Sequence, residues 1–131
     1  LKMSFGIGTD IVETRQFKKW IENPSILNRF FASEEQFASK TVESRHENAL
    51  CQHYAVRFAA KEAFSKALGT GIWGFDLKDV FVTKNSEGKP SIELRNGALE
   101  HFQKRCGEAN IFVSLSHEKE YATAFVLIEK L

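Results

Sequence analysis

The sequence is poor in cysteine, in net charge and in long apolar runs, and each shortage excludes a class of protein. Its 131 residues include two cysteines, without a CxxC pair or a Cys/His cluster at zinc spacing, which argues against a disulfide framework or a structural zinc site. A formal net charge of +1 argues against a general nucleic-acid-binding protein, because phosphate contacts need a marked basic excess. No apolar run approaches the length of a membrane span, and no signal-peptide core opens the sequence. We therefore expect a cytoplasmic protein that binds neither nucleic acid nor membrane.

The chain does contain enough apolar bulk for one hydrophobic core. Hydrophobic residues make up 43% of it, and 12 of them are phenylalanine. No internal repeat, low-complexity tract or linker interrupts the sequence, so we expect a single domain over residues 1–131. Leu1 and Lys2 precede Met3, which we expect to be the natural start, and we give those two residues no functional weight.

The most informative segment, residues 57–72, has the sequence RFAAKEAFSKALGTGI and predicts an amphipathic helix. At 100° per residue, its apolar side chains fall on one arc and its polar side chains fall on another. Gly69 and Gly71 would end this helix. The polar arc contains Lys61, Glu62, Ser65 and Lys66.

Glu62 and Lys66 allow two interpretations. They stand four residues apart, so they could form an ordinary surface pair that stabilises the helix by roughly 0.2–0.5 kcal/mol. Alternatively, Glu62 ligates a hard cation while Lys66 and Lys61 contact phosphate oxygens, as in phosphate-transfer sites. A second acidic ligand elsewhere in the chain would favour the second interpretation.

Asp10 is the acidic residue that fits this need. Residues 5–12 alternate as a β-strand, with Gly6, Gly8 and Asp10 on one face. Because Asp and Gly are depleted in strands, two glycines beside a carboxylate suggest that another group approaches the backbone there. The alternative is a strand end at which Asp10 caps the next helix.

The remaining pattern predicts an α+β domain in which an antiparallel β-sheet packs against the long helix. Residues 80–82 and 92–94 flank a turn that contains Gly88 and Pro90, which predicts a hairpin. Residues 122–128 are almost wholly apolar, so this strand should be central or buried at an interface. Such a small domain has few enclosed clefts, and we hypothesise a site shared between subunits.

Two segments before the long helix carry further signals. One predicted helix, which Asn23-Pro24 ends, carries Arg15, Lys18 and Lys19 on one face. This basic face is either a solvated surface or a docking surface for an acidic protein. Ser33, followed by two glutamates and a glutamine, is typical of a capped helix start.

Four short motifs give the sequence a family resemblance. They are GIGTDI at residues 6–11, RFAAKEAFSKA at 57–67, GKP at 88–90 and SLSH at 114–117. Together they resemble the motifs of the 4′-phosphopantetheinyl transferase superfamily. The resemblance spans essentially the whole chain from Met3, and the short length is similar to that of the holo-acyl-carrier-protein synthase branch.

The resemblance implies a 4′-phosphopantetheinyl transferase-like fold and a specific activity. That activity is transfer of the 4′-phosphopantetheine arm from coenzyme A to a serine of apo-acyl carrier protein, with release of adenosine 3′,5′-bisphosphate, in support of fatty acid biosynthesis. It also implies a homotrimer with active sites between neighbouring chains, which would allow Asp10 and Glu62 to come from different subunits.

Roles for individual residues follow from motif position. Asp10 and Glu62 would bind Mg²⁺, and Lys66, with Lys61, would neutralise charge as the carrier serine attacks the β-phosphorus. The base that takes the serine proton is left open between Glu62, a metal-bound hydroxide and His117, which could instead contact the nucleotide or merely occupy a turn. The expected catalytic residues are Glu62, Lys66 and His117. The expected coenzyme A-binding residues are Arg57, Lys61, Lys66, Gly69, Gly71, Lys89, Pro90 and His117.

The chain departs from the family pattern at two positions. Phe112 stands where many relatives carry a histidine, and Gln16 stands where many carry an arginine. The second departure shifts the expected carrier-protein docking contacts onto Arg15, Lys18 and Lys19. Two other functions stay open from the residues alone: a non-catalytic module that binds an acidic protein, and a metal-dependent phosphohydrolase with water as nucleophile.

Overall fold

The computed structural model describes residues 3–37, 46–71 and 73–131. The expectation for Leu1 and Lys2 therefore lies outside the described residues. Short 3₁₀ turns occupy Thr14–Gln16, Ser33–Glu35 and Leu77–Asp79. The strands and helices, in chain order, are β1 (Met3–Glu13), α1 (Phe17–Ile21), α2 (Pro24–Phe30), α3 (Glu47–Leu68), β2 (Val80–Lys84), β3 (Pro90–Leu94), α4 (Asn96–Cys106), β4 (Ala109–His117) and β5 (Tyr121–Lys130).

Strand β5 is the centre of a three-stranded antiparallel sheet with the order β1-β5-β4. Its alternate residues Ala122, Ala124, Val126 and Ile128 are buried, which confirms the central position predicted from its apolar sequence. Strands β2 and β3 pair as a separate antiparallel hairpin, as predicted.

Helix α3 lies across the inner face of the sheet and confirms the predicted α+β architecture. Its alanines and Phe64 pack against the inner side chains of β5 and against the core side of α4. The helix ends at Gly69, whose left-handed φ of 80° suits glycine and whose N–H donates to the carbonyls of Ser65 and Lys66. No helix among the described residues is both long and apolar enough to cross a lipid bilayer.

The backbone of α3 touches the backbone of β1 at two glycines. A Cβ at Gly6 would lie 2.9 Å from the carbonyl carbon of Ala67, and a Cβ at Gly8 would lie 2.7 Å from the amide nitrogen of Ala67. The group predicted to approach this strand is thus the helix itself. Asp10 follows on the same face, in the middle of β1 opposite Ala124, so the alternative of a helix cap at a strand end is wrong.

The 3₁₀ turn at Ser33–Glu35 stands where a capped helix start was predicted. Gln36, at the end of the turn, is already extended, with φ −94° and ψ 140°. The side chain of Glu35 is buried instead of facing solvent as a first-turn residue would. The expected continuation beyond residue 37 lies outside the described part of the chain.

The outer face of the sheet carries exposed apolar side chains. Ile7 and Ile11 on β1 are 61% and 63% exposed, and Phe112 on β4 is also exposed. The strand register places these residues on the same face as Tyr121 and Phe125 of β5, both also exposed. Exposed apolar side chains grouped on one sheet face are typical of a surface that associates with another protein.

We predict that Gly8→Ala destabilises the protein by about 3 kcal/mol, since the new methyl group would force α3 away from β1. Gly97→Ala in α4 is the matched control, because its Cβ would meet only the Gly74 carbonyl oxygen, at 3.9 Å, and alanine suits a helix better than glycine. Urea unfolding followed by circular dichroism measures both. Equal stability of the two variants would contradict the close-contact interpretation.

Candidate active site

Asp10, Glu62 and Lys66 come together where α3 crosses β1. The Lys66 ammonium donates to Asp10 Oδ1 at 3.0 Å and to the Thr9 carbonyl at 2.9 Å, across 56 and 57 positions of sequence. Glu62 lies one turn before Lys66, near enough for the charge of Asp10 to raise its pKa. Both acids therefore lie together in one chain, and the expectation that they come from different subunits is wrong. The cause is the backbone contact between strand and helix, which brings the two segments together within the monomer.

The electrostatics of this acid pair favour a bound cation. Burial is the main cause that raises the pKa of Glu62, Asp10 raises it further, and Lys66 opposes the shift. No group of three or more His, Cys, Asp or Glu residues in the described ranges is arranged to hold a metal ion. Two carboxylates alone still suit Mg²⁺, which keeps several waters and takes substrate phosphate oxygens as its other ligands. The residues present thus fit the ion that the motifs implied.

Lys61 is not part of this arrangement, and its prediction as a phosphate-contacting residue is wrong. Its side chain is fully buried, with Nζ 2.6 Å from Glu35 Oε1. The same ammonium donates to the carbonyls of Val80 at 2.5 Å and Leu77 at 3.1 Å. The physical reason is that α3 is covered on two sides, by the sheet and by the segment that leads into β2, so part of its polar arc faces protein.

A groove of about 420 Å³ lies on the other flank of α3. It brings together three residues predicted to bind coenzyme A, namely Arg57, Pro90 and His117, and Lys89 lies in the adjacent hairpin turn. At 100° per residue, Arg57 and Lys66 point about 180° apart around the helix axis. The groove lining consists of Phe37, Ala49, Gln52, His53, Val56, Arg57, Lys84, Gly88, Pro90, Leu115 and His117.

Gly69 and Gly71 lie beyond the end of α3, away from the groove lining. The backbone N–H of Gly69 already donates to Ser65 and Lys66, so it closes the helix and is not directed at a ligand. The prediction of a nucleotide contact from that N–H is therefore wrong. Gly71 has a φ of 67° and stays a prediction.

Arg57 is half-buried in the groove wall and retains an unused donor. One guanidinium nitrogen donates to the His53 carbonyl at 3.1 Å, whereas Nε is the one buried side-chain nitrogen or oxygen in the described residues that has no hydrogen-bond partner. Burial lowers the pKa of Arg57, and the charge of Glu35 opposes this. A guanidinium in such surroundings is well suited to bind an anion.

His53 is a groove residue that the sequence reasoning missed. Its Nε2 lies 2.5 Å from the Glu35 carbonyl oxygen, and its ring centroid lies 4.3 Å from that of Phe37. Burial, with the nearby charge of Arg57, lowers its pKa to about 4, so the ring is neutral near pH 7. Its spacing from Val56 and Arg57, three and four residues, places all three on one helical face and is a signal that could have identified it.

The basic residues predicted to dock a carrier protein are all exposed near α1. Arg15 Nε contacts Glu13 at 3.1 Å, and Lys18 Nζ lies 3.2 Å from Glu47, which raises the pKa of Lys18. Phe17 is fully buried on the opposite side, in agreement with the predicted amphipathic helix. A cavity of about 340 Å³ lies between Arg15 and Lys18, the start of α3 and the β4–β5 turn.

Known proteins resemble this chain in sequence and in overall fold. The family model of the 4′-phosphopantetheinyl transferase superfamily matches residues 6–126. A holo-[acyl-carrier-protein] synthase of Treponema denticola is 46% identical over 127 residues, which cover 97% of this chain and 99% of that protein. A Plasmodium yoelii acyl carrier protein synthase with ADP bound has a TM-score of 0.87 at 27% identity, over 100% of this chain and 98% of that chain. A Bacillus anthracis holo-(acyl-carrier-protein) synthase in complex with CoA (3′,5′-ADP) has a TM-score of 0.77 at 33% identity, over 98% and 99%. The predicted resemblance and fold are thereby confirmed.

We predict that His53 makes the stability of the protein depend on pH below neutrality. Between pH 6.5 and about 4, the unfolded chain gains a proton at His53 that the folded chain does not, so acid favours unfolding. When the pH falls from 7.5 to 5, the free energy of unfolding should decrease in both proteins. The decrease should be about 2 kcal/mol smaller in His53→Gln than in the original protein. Urea unfolding at both pH values measures the difference. Equal losses in the two proteins would show that His53 is not held neutral.

Proposed function

Because this chain belongs to the 4′-phosphopantetheinyl transferase superfamily, we propose that it acts as a holo-acyl-carrier-protein synthase. It transfers the 4′-phosphopantetheine arm of coenzyme A to a serine of apo-acyl carrier protein and releases adenosine 3′,5′-bisphosphate. The observation that carries this proposal is the convergence of Asp10, Glu62 and Lys66 at the crossing of β1 and α3. Fatty acid biosynthesis and the cytoplasm are the pathway and location that we propose with it.

The reaction joins the carrier serine oxygen to the β-phosphorus and breaks the bond from that phosphorus to the bridging oxygen of the pyrophosphate. Asp10 and Glu62 would hold Mg²⁺, which supplies positive charge to the pyrophosphate oxygens. Lys66 adds its charge to the leaving bisphosphate. Glu62 is proposed to take the serine proton.

The groove beside the β2–β3 hairpin accounts for binding of the nucleotide. Arg57, Lys84 and His117 line it and could contact phosphate oxygens, and Lys89 extends this basic rim. The faces of neutral His53 and Phe37 offer a surface on which an adenine ring could stack. His117 is therefore assigned to the nucleotide and not to proton transfer.

The complete site is proposed to form between neighbouring chains of a homotrimer. In one chain, the groove at Arg57 and the acid pair near Lys66 lie on opposite flanks of α3. One coenzyme A can engage both kinds of residue if the groove belongs to one copy and the acid pair to the next. The exposed apolar face of the sheet, around Ile7, Ile11 and Phe125, supports burial against further copies.

The exposed cations Arg15, Lys18 and Lys19 supply the proposed docking surface for the carrier protein. An acidic partner would be steered toward this surface, with an association rate that falls as salt is added. Glu13 and Glu47 already contact Arg15 and Lys18, so a carrier must offer better placed carboxylates than these intramolecular partners.

Incubation with coenzyme A, Mg²⁺ and apo-acyl carrier protein should raise the mass of the carrier by one phosphopantetheine arm. We predict that Asp10→Asn and Glu62→Gln each lower this rate by at least about 100-fold, because each removes a charge next to the reacting phosphate. Glu100→Gln, an exposed acid of α4, is the charge-matched control and should keep full activity. Mass spectrometry of the carrier gives the rates.

Two outcomes would replace the proposed function. Release of adenosine 3′,5′-bisphosphate from coenzyme A without any carrier would indicate a phosphohydrolase. Salt-sensitive binding of an acidic carrier without a change in its mass would indicate a binding module.

We predict that mixed assemblies reveal which residues share a site. Arg57→Ala and Asp10→Asn chains, unfolded together and refolded, should recover activity, because some interfaces then join an intact groove to an intact acid pair. A mixture of Asp10→Asn and Glu62→Gln should stay inactive, because every chain lacks one acid of the same half-site. Carrier mass and light scattering report activity and assembly. Recovery in the second mixture, or none in the first, would contradict this arrangement.

A further inference from the structure

A buried ion pair lies behind the wall of the groove without lining it. The side chains of Lys61 and Glu35 are each 0% exposed, and their charged atoms are 2.6 Å apart. Burial lowers the pKa of Lys61, while the charge of Glu35 and its hydrogen bond oppose this. Nothing in the proposed reaction uses either residue, so two buried charges in the core of this fold need another explanation.

The pair connects three separate segments of the chain. Glu35 accepts from the backbone N–H of Ala32 at 3.0 Å and from that of Val82 at 3.1 Å, which links the 3₁₀ turn to β2. Lys61 adds α3 to this network through its bonds to the carbonyls of Leu77 and Val80. Turn, helix and hairpin are therefore joined by one set of charge-assisted hydrogen bonds.

The same three segments form walls of the groove. Helix α3 provides His53 and Arg57, the β2–β3 hairpin provides Lys84 and Pro90, and Phe37 follows the 3₁₀ turn. The Glu35 carbonyl also holds the His53 ring through Nε2. A shift of the hairpin relative to α3 would thus change the distance between the residues proposed to hold the nucleotide.

Stability alone does not account for this pair. Removal of one partner from a buried ion pair is strongly destabilising, but replacement of both by uncharged residues of similar size is often neutral or stabilising. Charge-assisted hydrogen bonds are directional, so what the pair adds over an apolar contact is a fixed relative position. We propose that Lys61 and Glu35 are positioning residues that set the spacing between α3 and the hairpin, and thereby the fit of the groove to the nucleotide. This inference rests on the proposed function of the groove.

The test uses the full-length double variant Glu35→Gln/Lys61→Met, which removes both charges together. Its dissociation constant for adenosine 3′,5′-bisphosphate, measured by calorimetry, and its KM for coenzyme A should each rise about tenfold, the effect of roughly one lost hydrogen bond. Its kcat at saturating coenzyme A should change little, because Asp10, Glu62 and Lys66 stay in place. Its melting temperature should exceed that of either single variant, since no unpaired buried charge is left.

Phe102→Leu is the control for a general loss of stability. Phe102 packs in the core between α4 and α3 and does not line the groove. This variant should therefore have a lower melting temperature and an unchanged nucleotide affinity. Glu35→Asp is a second variant, for the case in which the double variant does not fold. It keeps the charge but shortens the side chain, so it should also weaken nucleotide binding.

Native nucleotide affinity in the double variant or in Glu35→Asp would overturn the proposal. An equal loss of affinity in Phe102→Leu would also overturn it, because the effect would then follow stability and not position. Carrier modification by the original protein is measured alongside. If that protein neither modifies the carrier nor binds the nucleotide, the proposed function fails and this inference fails with it. If the original protein is active and the variants keep its nucleotide affinity, only the inference is contradicted.

Discussion

The backbone contact between β1 and α3 is the constraint on which the rest of the site depends. Gly6 and Gly8 leave no side chain between strand and helix, so the helix lies directly against the sheet. Asp10 is the next residue on that face, and it meets Lys66 at 3.0 Å because the two backbones cannot separate. The acids are therefore positioned before any ligand arrives, which reduces the reorganisation needed during the reaction.

Helix α3 also separates the two groups of residues to which the proposed function assigns the chemistry. Its sheet-side flank carries the acid pair, and its hairpin-side flank carries Arg57 and the groove. A helix is roughly 10–12 Å across with its side chains, so one phosphate cannot contact both flanks of the same copy. Under the proposed function, this division of the helix surface would link catalysis to assembly, and the exposed apolar sheet face would be buried in that assembly.

The sequence predicted the elements whose signals are local. Three predicted features depend on residues within a turn or two of each other, and the structure has all of them. They are the alternation of β1, the alanine-rich arc of α3 and the end of α3 at Gly69. The position of Lys61 depends on Glu35, 26 residues away, whose local pattern indicated a helix start. Helical periodicity shows which side of a helix meets its main partner, but it does not show a second partner. For that reason the burial of Lys61 could not be read from the pattern of α3 alone, whereas the spacing of His53 from Val56 and Arg57 did place it on the face of the groove.

The charges at the acid pair would favour a divalent cation in the proposed chemistry. Two carboxylates and one ammonium leave the cluster of Asp10, Glu62 and Lys66 with a formal charge of −1, which would repel an incoming pyrophosphate. A divalent ion changes this to +1, so the same residues then attract the pyrophosphate. In the absence of an ion, the ammonium of Lys66 compensates the charge of Asp10, the carboxylate that would also hold the ion. Since coupling between two binding events is reciprocal, nucleotide and metal should each strengthen the binding of the other.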